Sequence, residues 1–143
     1  VPAEAENKRC GFQKSAVEAT EQQKRDLVAA WYINLSVRSN GVVIVKDGQT
    51  LSVGTGEQDR VGAIEQAIAK FGQKYSGSGV LRDAVMSSDG FFPFEDGVET
   101  AARAGITAII APSGSLRDAD VIKRANELGV ALYYAPERIF SHH

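Results

Sequence analysis

Strand and helix patterns alternate through the second half of the chain, and this alternation restricts the fold more than any other feature. The patterns come in the order strand, helix, strand, helix, strand, near residues 84–87, 96–104, 107–111, 116–128 and 130–134. Such alternation is typical of a layered α/β domain. The run Ala108-Ile109-Ile110-Ala111 has no polar residue, as expected for a strand covered by helices on both faces. We therefore predict a layered α/β/α sandwich.

A helix is predicted to open the fold. Thr20 and Gln23 form a capping-box pattern, and the helix should run from there to about Val37. We expect the charged side chains of Lys24 and Arg25 to face solvent. The apolar stripe that should face the core consists of Leu27, Ala30, Trp31 and Leu35.

A β-hairpin is predicted next. The β-branched run at 41–46 leads into Asp47-Gly48, a strong hairpin signal, and strand character resumes at 50–53. A second helix should begin at Asp59. Its apolar face is formed by Val61, Ile64, Ile68 and Phe71.

Length and composition indicate one domain. The 143 residues suffice to bury a core, and we divide them into a polar N-terminal segment, 1–19, and a domain, 20–143. The net charge of −2 argues against a nucleic-acid footprint, which needs a basic surface. Cys10 is the single cysteine and no leader pattern precedes it, so we expect a cytoplasmic protein. Because residue 1 is Val1, we also expect an upstream segment to have been removed.

The stretch 87–96 has an unusual composition for a surface loop. Phe91, Phe92 and Phe94 follow a strand and lie beside carboxylates. Ligands bind at the carboxyl ends of strands in open α/β sheets, where aromatic rings can stack on a heterocycle. The alternative is that the three rings anchor the loop in the core, and the residues alone leave both interpretations open.

Two further stretches could bind anions. Ser115 is a candidate cap for the helix near 116–128, whose start could receive a carboxylate or phosphate, although an ordinary cap gives the same pattern. Arg138 could clamp a phosphate with its guanidinium group, or could lie in a solvated terminus.

Several known sites are excluded. The chain has no zinc-deaminase signature, no phosphate-binding Gly-x-x-x-x-Gly-Lys loop and no nucleophile elbow. The histidines, His142 and His143, are adjacent and make a poor metal site without a third ligand. We predict no metal-binding side chains.

A family resemblance is carried by six stretches: 39–40, 46–50, 54–60, 88–94, 111–115 and 138–140. Together they strongly resemble the C-terminal part of phosphoribosylaminoimidazolecarboxamide formyltransferase, which in most organisms is half of a bifunctional protein that also carries IMP cyclohydrolase. The resemblance covers roughly residues 20–143, and the Asp-x-Phe-Phe-Pro-Phe block is its most specific motif. It implies a cytidine-deaminase-like fold without the zinc, opening with a helix and a β-hairpin.

The resemblance also implies roles for individual residues. Three residues look like ribonucleotide contacts, with the arginine near the phosphate and the phenylalanine beside the base: Asn40, Phe91 and Arg138. Four look like folate contacts: Arg60, Asp96, Ser115 and Leu116. Glu95 stands where the family often has Arg, and it would place an anion beside the folate site.

The implied reaction transfers a formyl group from 10-formyltetrahydrofolate to 5-aminoimidazole-4-carboxamide ribonucleotide in purine (IMP) biosynthesis. In the family a Lys-His pair moves the proton, and this chain has no Lys-His dipeptide. We therefore expect this chain to be inactive by itself, and to form a homodimer or associate with the missing half. The resemblance also implies a monovalent cation such as potassium near Ser39, Asp89 and the C-terminal strand. The alternative function is a non-catalytic ligand-binding or dimerisation module derived from that domain.

Overall fold

The order of helices and strands matches the sequence prediction from the first helix onward. The computed structural model describes residues 12–37, 41–55, 60–74, 82–90, 95–112 and 116–135. Its elements are β1 (Phe12–Gln13), α1 (Glu21–Asn34), β2 (Val42–Lys46), β3 (Gln49–Gly54), α2 (Arg60–Lys74), β4 (Val85–Ser88), α3 (Asp96–Ala104), β5 (Ala108–Ala111), α4 (Asp118–Leu128) and β6 (Ala131–Tyr134). The short strand β1, which precedes the helix, was not predicted.

The six strands form one mixed sheet in the order β1-β6-β5-β4-β2-β3. Strands β4, β5 and β6 are parallel. Strand β2 is antiparallel to both of its neighbours, so that Val42 is paired with Gly54 of β3 and with Ser88 of β4. Strand β1 is antiparallel to β6.

Helices cover both faces of this sheet. On one face α1 packs with Leu27, Ala30 and Trp31 against strand residues that include Val43 and Ile110. On the other face the apolar residues of α2, α3 and α4 pack against the alternate strand residues. All four residues of β5 are buried, as its unbroken apolar run predicted. The predicted α/β/α sandwich is confirmed.

The first helix begins as predicted and ends earlier. Thr20 is the N-cap, and its hydroxyl accepts a hydrogen bond from the Gln23 backbone while the Gln23 side chain accepts from the Thr20 backbone. The helix ends at Asn34, three residues before the predicted Val37, and the N–H groups of Ser36 and Val37 then donate to carbonyls three residues back, as in a turn.

The prediction for Lys24 was wrong. Its side chain is only 2% exposed, and the ammonium lies 3.0 Å from Glu18 and 3.6 Å from Glu21. The hydrogen bond to Glu18 raises the pKa of Lys24, against the opposing effect of burial. Helical spacing could not reveal this, because Glu18 belongs to the segment that precedes the helix. Arg25 is exposed, as predicted.

That preceding segment packs on the edge of the sheet. The backbone N–H of Lys14 donates to the carbonyl of Leu132, and the hydroxyl of Ser15 accepts from the N–H of Leu132. The N–H of Ala19 donates to the hydroxyl of Tyr133. Residues 12–19 are thereby attached to β6 before α1 begins.

The predicted hairpin is confirmed, and α1 holds its turn. Asp47 and Gly48 adopt φ angles of 50° and 79°, the left-handed conformation that such a two-residue turn requires. Asp26 of α1 is 3% exposed. Its carboxylate accepts from the backbone N–H groups of Asp47 and Gly48, each at 2.9 Å.

Strand β3 approaches α2 closely at Gly54. A Cβ at this position would overlap the carbonyl oxygen of Ala63 and lie 3.3 Å from the nitrogen of Ala67. Only glycine allows the two backbones this contact.

None of the helices in the described ranges has the length and apolar content needed to cross a bilayer. The predicted connector at 76–79 lies outside the described residues.

Candidate functional site

One edge of the sheet gathers the chain segments that carry the predicted site. The carboxyl ends of β4, β5 and β6 lie there because these strands are parallel. The start of β2 and the end of β3 lie at the same edge, since Val42 pairs with both Gly54 and Ser88. Ligands of open α/β sheets bind at such an edge. We call it the carboxyl edge.

Every predicted site residue is close in sequence to a described residue of this edge. Asn40 precedes Gly41, Phe91 follows Gly90, and Arg138 comes three residues after Ala135. These three, together with Ser115, lie outside the described residues. Arg60 is the first residue of α2, and the structure describes its backbone but not its side chain.

The other two predicted contacts are described and exposed. Asp96 is the first residue of α3, and its side chain faces solvent. Leu116 precedes α4 and is fully exposed. Both are therefore accessible to a ligand, but the structure does not bring them into contact with each other.

The start of α4 differs from the prediction. The N-cap is Arg117, which makes no side-chain capping bond, and the helix begins at Asp118. Ser115, the predicted cap, therefore lies two residues before the cap position. The first turn contains Asp118 and Asp120, whose negative charges compensate the positive end of the helix dipole. This acidic turn favours an ordinary helix start over an anion site made by α4 alone.

Glu95 lies beside the guanidinium group of Arg117. A guanidinium nitrogen of Arg117 lies 3.6 Å from a carboxylate oxygen of Glu95, and the Arg117 Nε lies 2.8 Å from Asp120. We expected Glu95 to place an anion beside the folate site. The structure shows that Glu95 and Asp120 share the one positive charge of Arg117, so the three side chains together keep a net negative charge at this place.

A tyrosine at the end of β6 was not anticipated. Tyr134 is 6% exposed, and Lys14 Nζ lies 5.7 Å from the centre of its ring. Burial raises the pKa of Tyr134, and the carboxylate of Asp118 raises it further. The neutral hydroxyl therefore persists well into alkaline solution.

A buried side-chain amide on α1 joins the start of β2 to the end of β4. Asn34 is 2% exposed, and its Nδ2 lies within hydrogen-bond distance of three oxygens at the carboxyl edge. These are the carbonyl of Gly41 at 3.2 Å, the carbonyl of Ser87 at 3.2 Å and the hydroxyl of Ser87 at 3.0 Å. The carbonyl of Gly41 also accepts from the N–H of Asp89 at 3.0 Å. Sequence reasoning missed Asn34, although a polar residue on the buried side of a helix is a usable signal.

A polar cavity of about 460 Å³ lies at the opposite edge of the sheet, away from the predicted site. The polar groups around it have structural partners. Gln23 donates to the carbonyl of Asp83 and to the hydroxyl of Thr107, and Lys46 donates to the carbonyl of Arg82. We assign this cavity to the packing of α1 on the sheet.

No metal cluster was found within the ranges that the structure describes: three or more His, Cys, Asp or Glu side chains do not converge there. Asp89 is at the carboxyl edge, where its backbone bonds to Gly41. Ser39 lies outside the described residues, so the cation near Ser39 and Asp89 stays a prediction.

Comparison with known proteins places the sequence among purine-biosynthesis proteins. Residues 3–70 match the family model described as the AICARFT/IMPCHase bienzyme. The bifunctional purine biosynthesis protein PurH of Synechococcus sp. (strain CC9605) is 49% identical over 123 residues, which cover 86% of this chain and 22% of that protein. PurH of Bacillus cytotoxicus is 46% identical over 125 residues, 87% of this chain and 23% of the relative. The chain thus spans less than a quarter of the length of these relatives.

One similar solved structure is a diaminohydroxyphosphoribosylaminopyrimidine deaminase/5-amino-6-(5-phosphoribosylamino)uracil reductase from Thermotoga maritima. It is 18% identical, with a TM-score of 0.48, and the match covers 77% of this chain and 35% of the other.

Proposed function

This chain belongs to the AICARFT/IMPCHase bienzyme family, and we propose that it forms the C-terminal part of a formyltransferase. The enzyme would move a formyl group from 10-formyltetrahydrofolate to 5-aminoimidazole-4-carboxamide ribonucleotide in purine biosynthesis. The ribonucleotide contacts are Asn40, Phe91 and Arg138. The folate contacts are Arg60, Asp96, Ser115 and Leu116.

The observation that carries this proposal is the convergence of separate segments at the carboxyl edge. The described ends of β3, β4, β5 and β6 and the start of β2 meet there. Each leads directly into a stretch that carries family motifs. A ligand at this edge can therefore be reached by residues that are far apart in sequence, which is how open α/β sheets bind ligands.

The two ligands would approach from different sides of the sheet. Asn34 of α1 is hydrogen-bonded to Gly41, just before β2, and to Ser87, near the end of β4. The folate contacts are associated with the starts of α2, α3 and α4, which cover the opposite face. Exposed Leu116 supplies an apolar surface for the folate ring system.

Formyl transfer would need the remainder of the enzyme. A weakly basic aromatic amine requires a positioned base, and this chain contains no Lys-His dipeptide to provide the family's proton-transfer pair. We expect the chain alone to bind without turning over, and to act in the cytoplasm. Tyr32 is 55% exposed and Ile33 is 37% exposed on α1, which favours association with a second copy or with the missing half.

The same two side chains favour the second candidate function, a non-catalytic ligand-binding or dimerisation module. The two candidates differ in one respect. A formyltransferase part restores turnover when it is combined with the half that carries Lys-His, whereas a module does not.

Calorimetric titration of the chain with the ribonucleotide and with folic acid tests the proposal. We expect saturable binding of both, with the ribonucleotide signal lost in Arg138→Ala. Arg103→Ala is the matched control, because Arg103 is exposed on α3 near the end of the helix that points away from the carboxyl edge. A folded chain that binds neither ligand, or equal effects of the two variants, would contradict the proposal.

A further inference from the structure

The amide of Asn34 has only one workable orientation. The carbonyl oxygens of Gly41 and Ser87 both lie 3.2 Å from Nδ2, and carbonyl oxygens can only accept hydrogen bonds. Turning the amide over would place Oδ1 against both carbonyls, so Nδ2 must face them. The side chain therefore bridges the residue before β2 and the third residue of β4.

The other end of this amide is under-satisfied. Asn34 Oδ1 is buried and accepts no hydrogen bond from any described residue. It lies against Gly41, where a Cβ would come within 2.5 Å of Oδ1 and 2.8 Å of Val37 Cγ1. A buried acceptor without a donor is unfavourable, and such a group in a folded protein calls for an explanation.

The bridge joins the two segments assigned to the nucleotide. Gly41 directly follows Asn40, and its carbonyl receives both the Asn34 amide and the N–H of Asp89. Asp89 is two residues before Phe91. The hydroxyl of Ser88 donates to the carbonyl of Gly90, which holds the chain at the last described residue before Phe91.

We infer that Asn34 is a positioning residue of the nucleotide site, where its amide sets the separation between the segments that lead to Asn40 and to Phe91. This inference rests on the proposed function, since that function makes Asn40 and Phe91 ribonucleotide contacts. Asn34 touches no ligand itself. The folate contacts lie at or just before the starts of helices on the other face of the sheet, so we expect them not to depend on this bridge.

The test is the ratio of two affinities in Asn34→Ala. We expect the Kd for the ribonucleotide to rise about tenfold or more, because small misplacements of binding groups have large effects. The Kd for folic acid should stay within about twofold, a change of only a few tenths of a kcal/mol. Both are measured by calorimetry on the complete 143-residue chain.

Asn126→Ala is the matched control for a merely structural asparagine. The side chain of Asn126 accepts a hydrogen bond from the N–H of Ala16 near the end of α4, away from the carboxyl edge. The loss of this hydrogen bond should lower the urea midpoint of unfolding without changing the ratio of the two Kd values. Ser87→Ala removes only the hydroxyl partner of Asn34 and serves as the milder variant. It should shift the ratio in the same direction as Asn34→Ala, by less.

The outcomes separate the two claims. If the folded wild-type chain binds no ribonucleotide, the proposed function fails and this inference fails with it. If the wild type binds and Asn34→Ala binds equally well, or loses both ligands in equal proportion, the inference alone is overturned. If Asn34→Ala does not fold, Ser87→Ala decides, and an unchanged ratio of Kd values in that variant overturns the inference.

Discussion

Replacing Asp26 by alanine should destabilise the fold more than replacing an exposed carboxylate on a helix would. The carboxylate accepts two backbone N–H groups of the hairpin turn at 2.9 Å, and the side-chain amide of Gln22 at 3.0 Å. A hydrogen bond to a charged group contributes about 1.5–3 kcal/mol. The turn residues Asp47 and Gly48 are exposed, so water can replace part of the loss. We expect the free energy of unfolding to fall by about 2–4 kcal/mol.

Urea denaturation followed by circular dichroism measures this difference. Asp26→Asn keeps the shape and one acceptor, so its loss should be about half as large. Glu65→Ala is the control, because Glu65 is an exposed carboxylate on α2 and its removal should change stability by about 0.5 kcal/mol or less. If Asp26→Ala is as mild as Glu65→Ala, the turn does not depend on the carboxylate and the reasoning is refuted.

Three further variants test other contacts. Gly54→Ala should cost about 1–3 kcal/mol in urea denaturation, because its Cβ would overlap the carbonyl of Ala63; unchanged stability would contradict that close approach. The raised pKa of Lys24 means that its stabilising effect is complete below its unfolded-state pKa of about 10.5 and is lost as pH rises through the higher folded value. Lys24→Met should therefore be less stable than wild type at neutral pH, and the difference in the free energy of unfolding should narrow above about pH 10.5. A difference that stays constant into strong alkali would contradict the pairing. The raised pKa of Tyr134 keeps its hydroxyl protonated in the folded state, so Tyr134→Phe should leave the tyrosinate absorbance at about pH 11 unchanged, whereas a reduced signal would count against this burial.

Hydrophobic periodicity predicted most of the architecture because both faces of the sheet are covered. The unbroken apolar run of β5 requires a helix layer on each side, and the structure has both. The hairpin was readable because its turn needs left-handed residues, and Asp47-Gly48 meets that need. Strand β1 was not readable, since two residues paired only with β6 leave no periodic pattern.

The charged and polar contacts were harder to predict than the core. Lys24 is buried because a segment outside its helix brings Glu18 to it, and spacing within one helix holds no information about that segment. The pairing of Arg117 with Glu95 could not be predicted for the same reason, because the two residues precede different helices, α4 and α3. The motifs located the candidate site in sequence, but only the strand directions place its flanking residues at one edge.

The register of β2 illustrates why a few polar contacts matter for function. Its residues Val42 to Val45 are all buried, and after a slip by one residue three of these four positions would still hold a β-branched apolar side chain. The two polar residues of α1 that contact this strand's ends remove that ambiguity. Asp26 binds the turn after β2, and Asn34 binds Gly41 before it. They are eight residues apart, about 12 Å along the helix, so α1 holds β2 at both ends and can satisfy both contacts in only one register. The alignment of β2 with β4, on which the proposed nucleotide site depends, is therefore specified by these hydrogen bonds as well as by the apolar pattern.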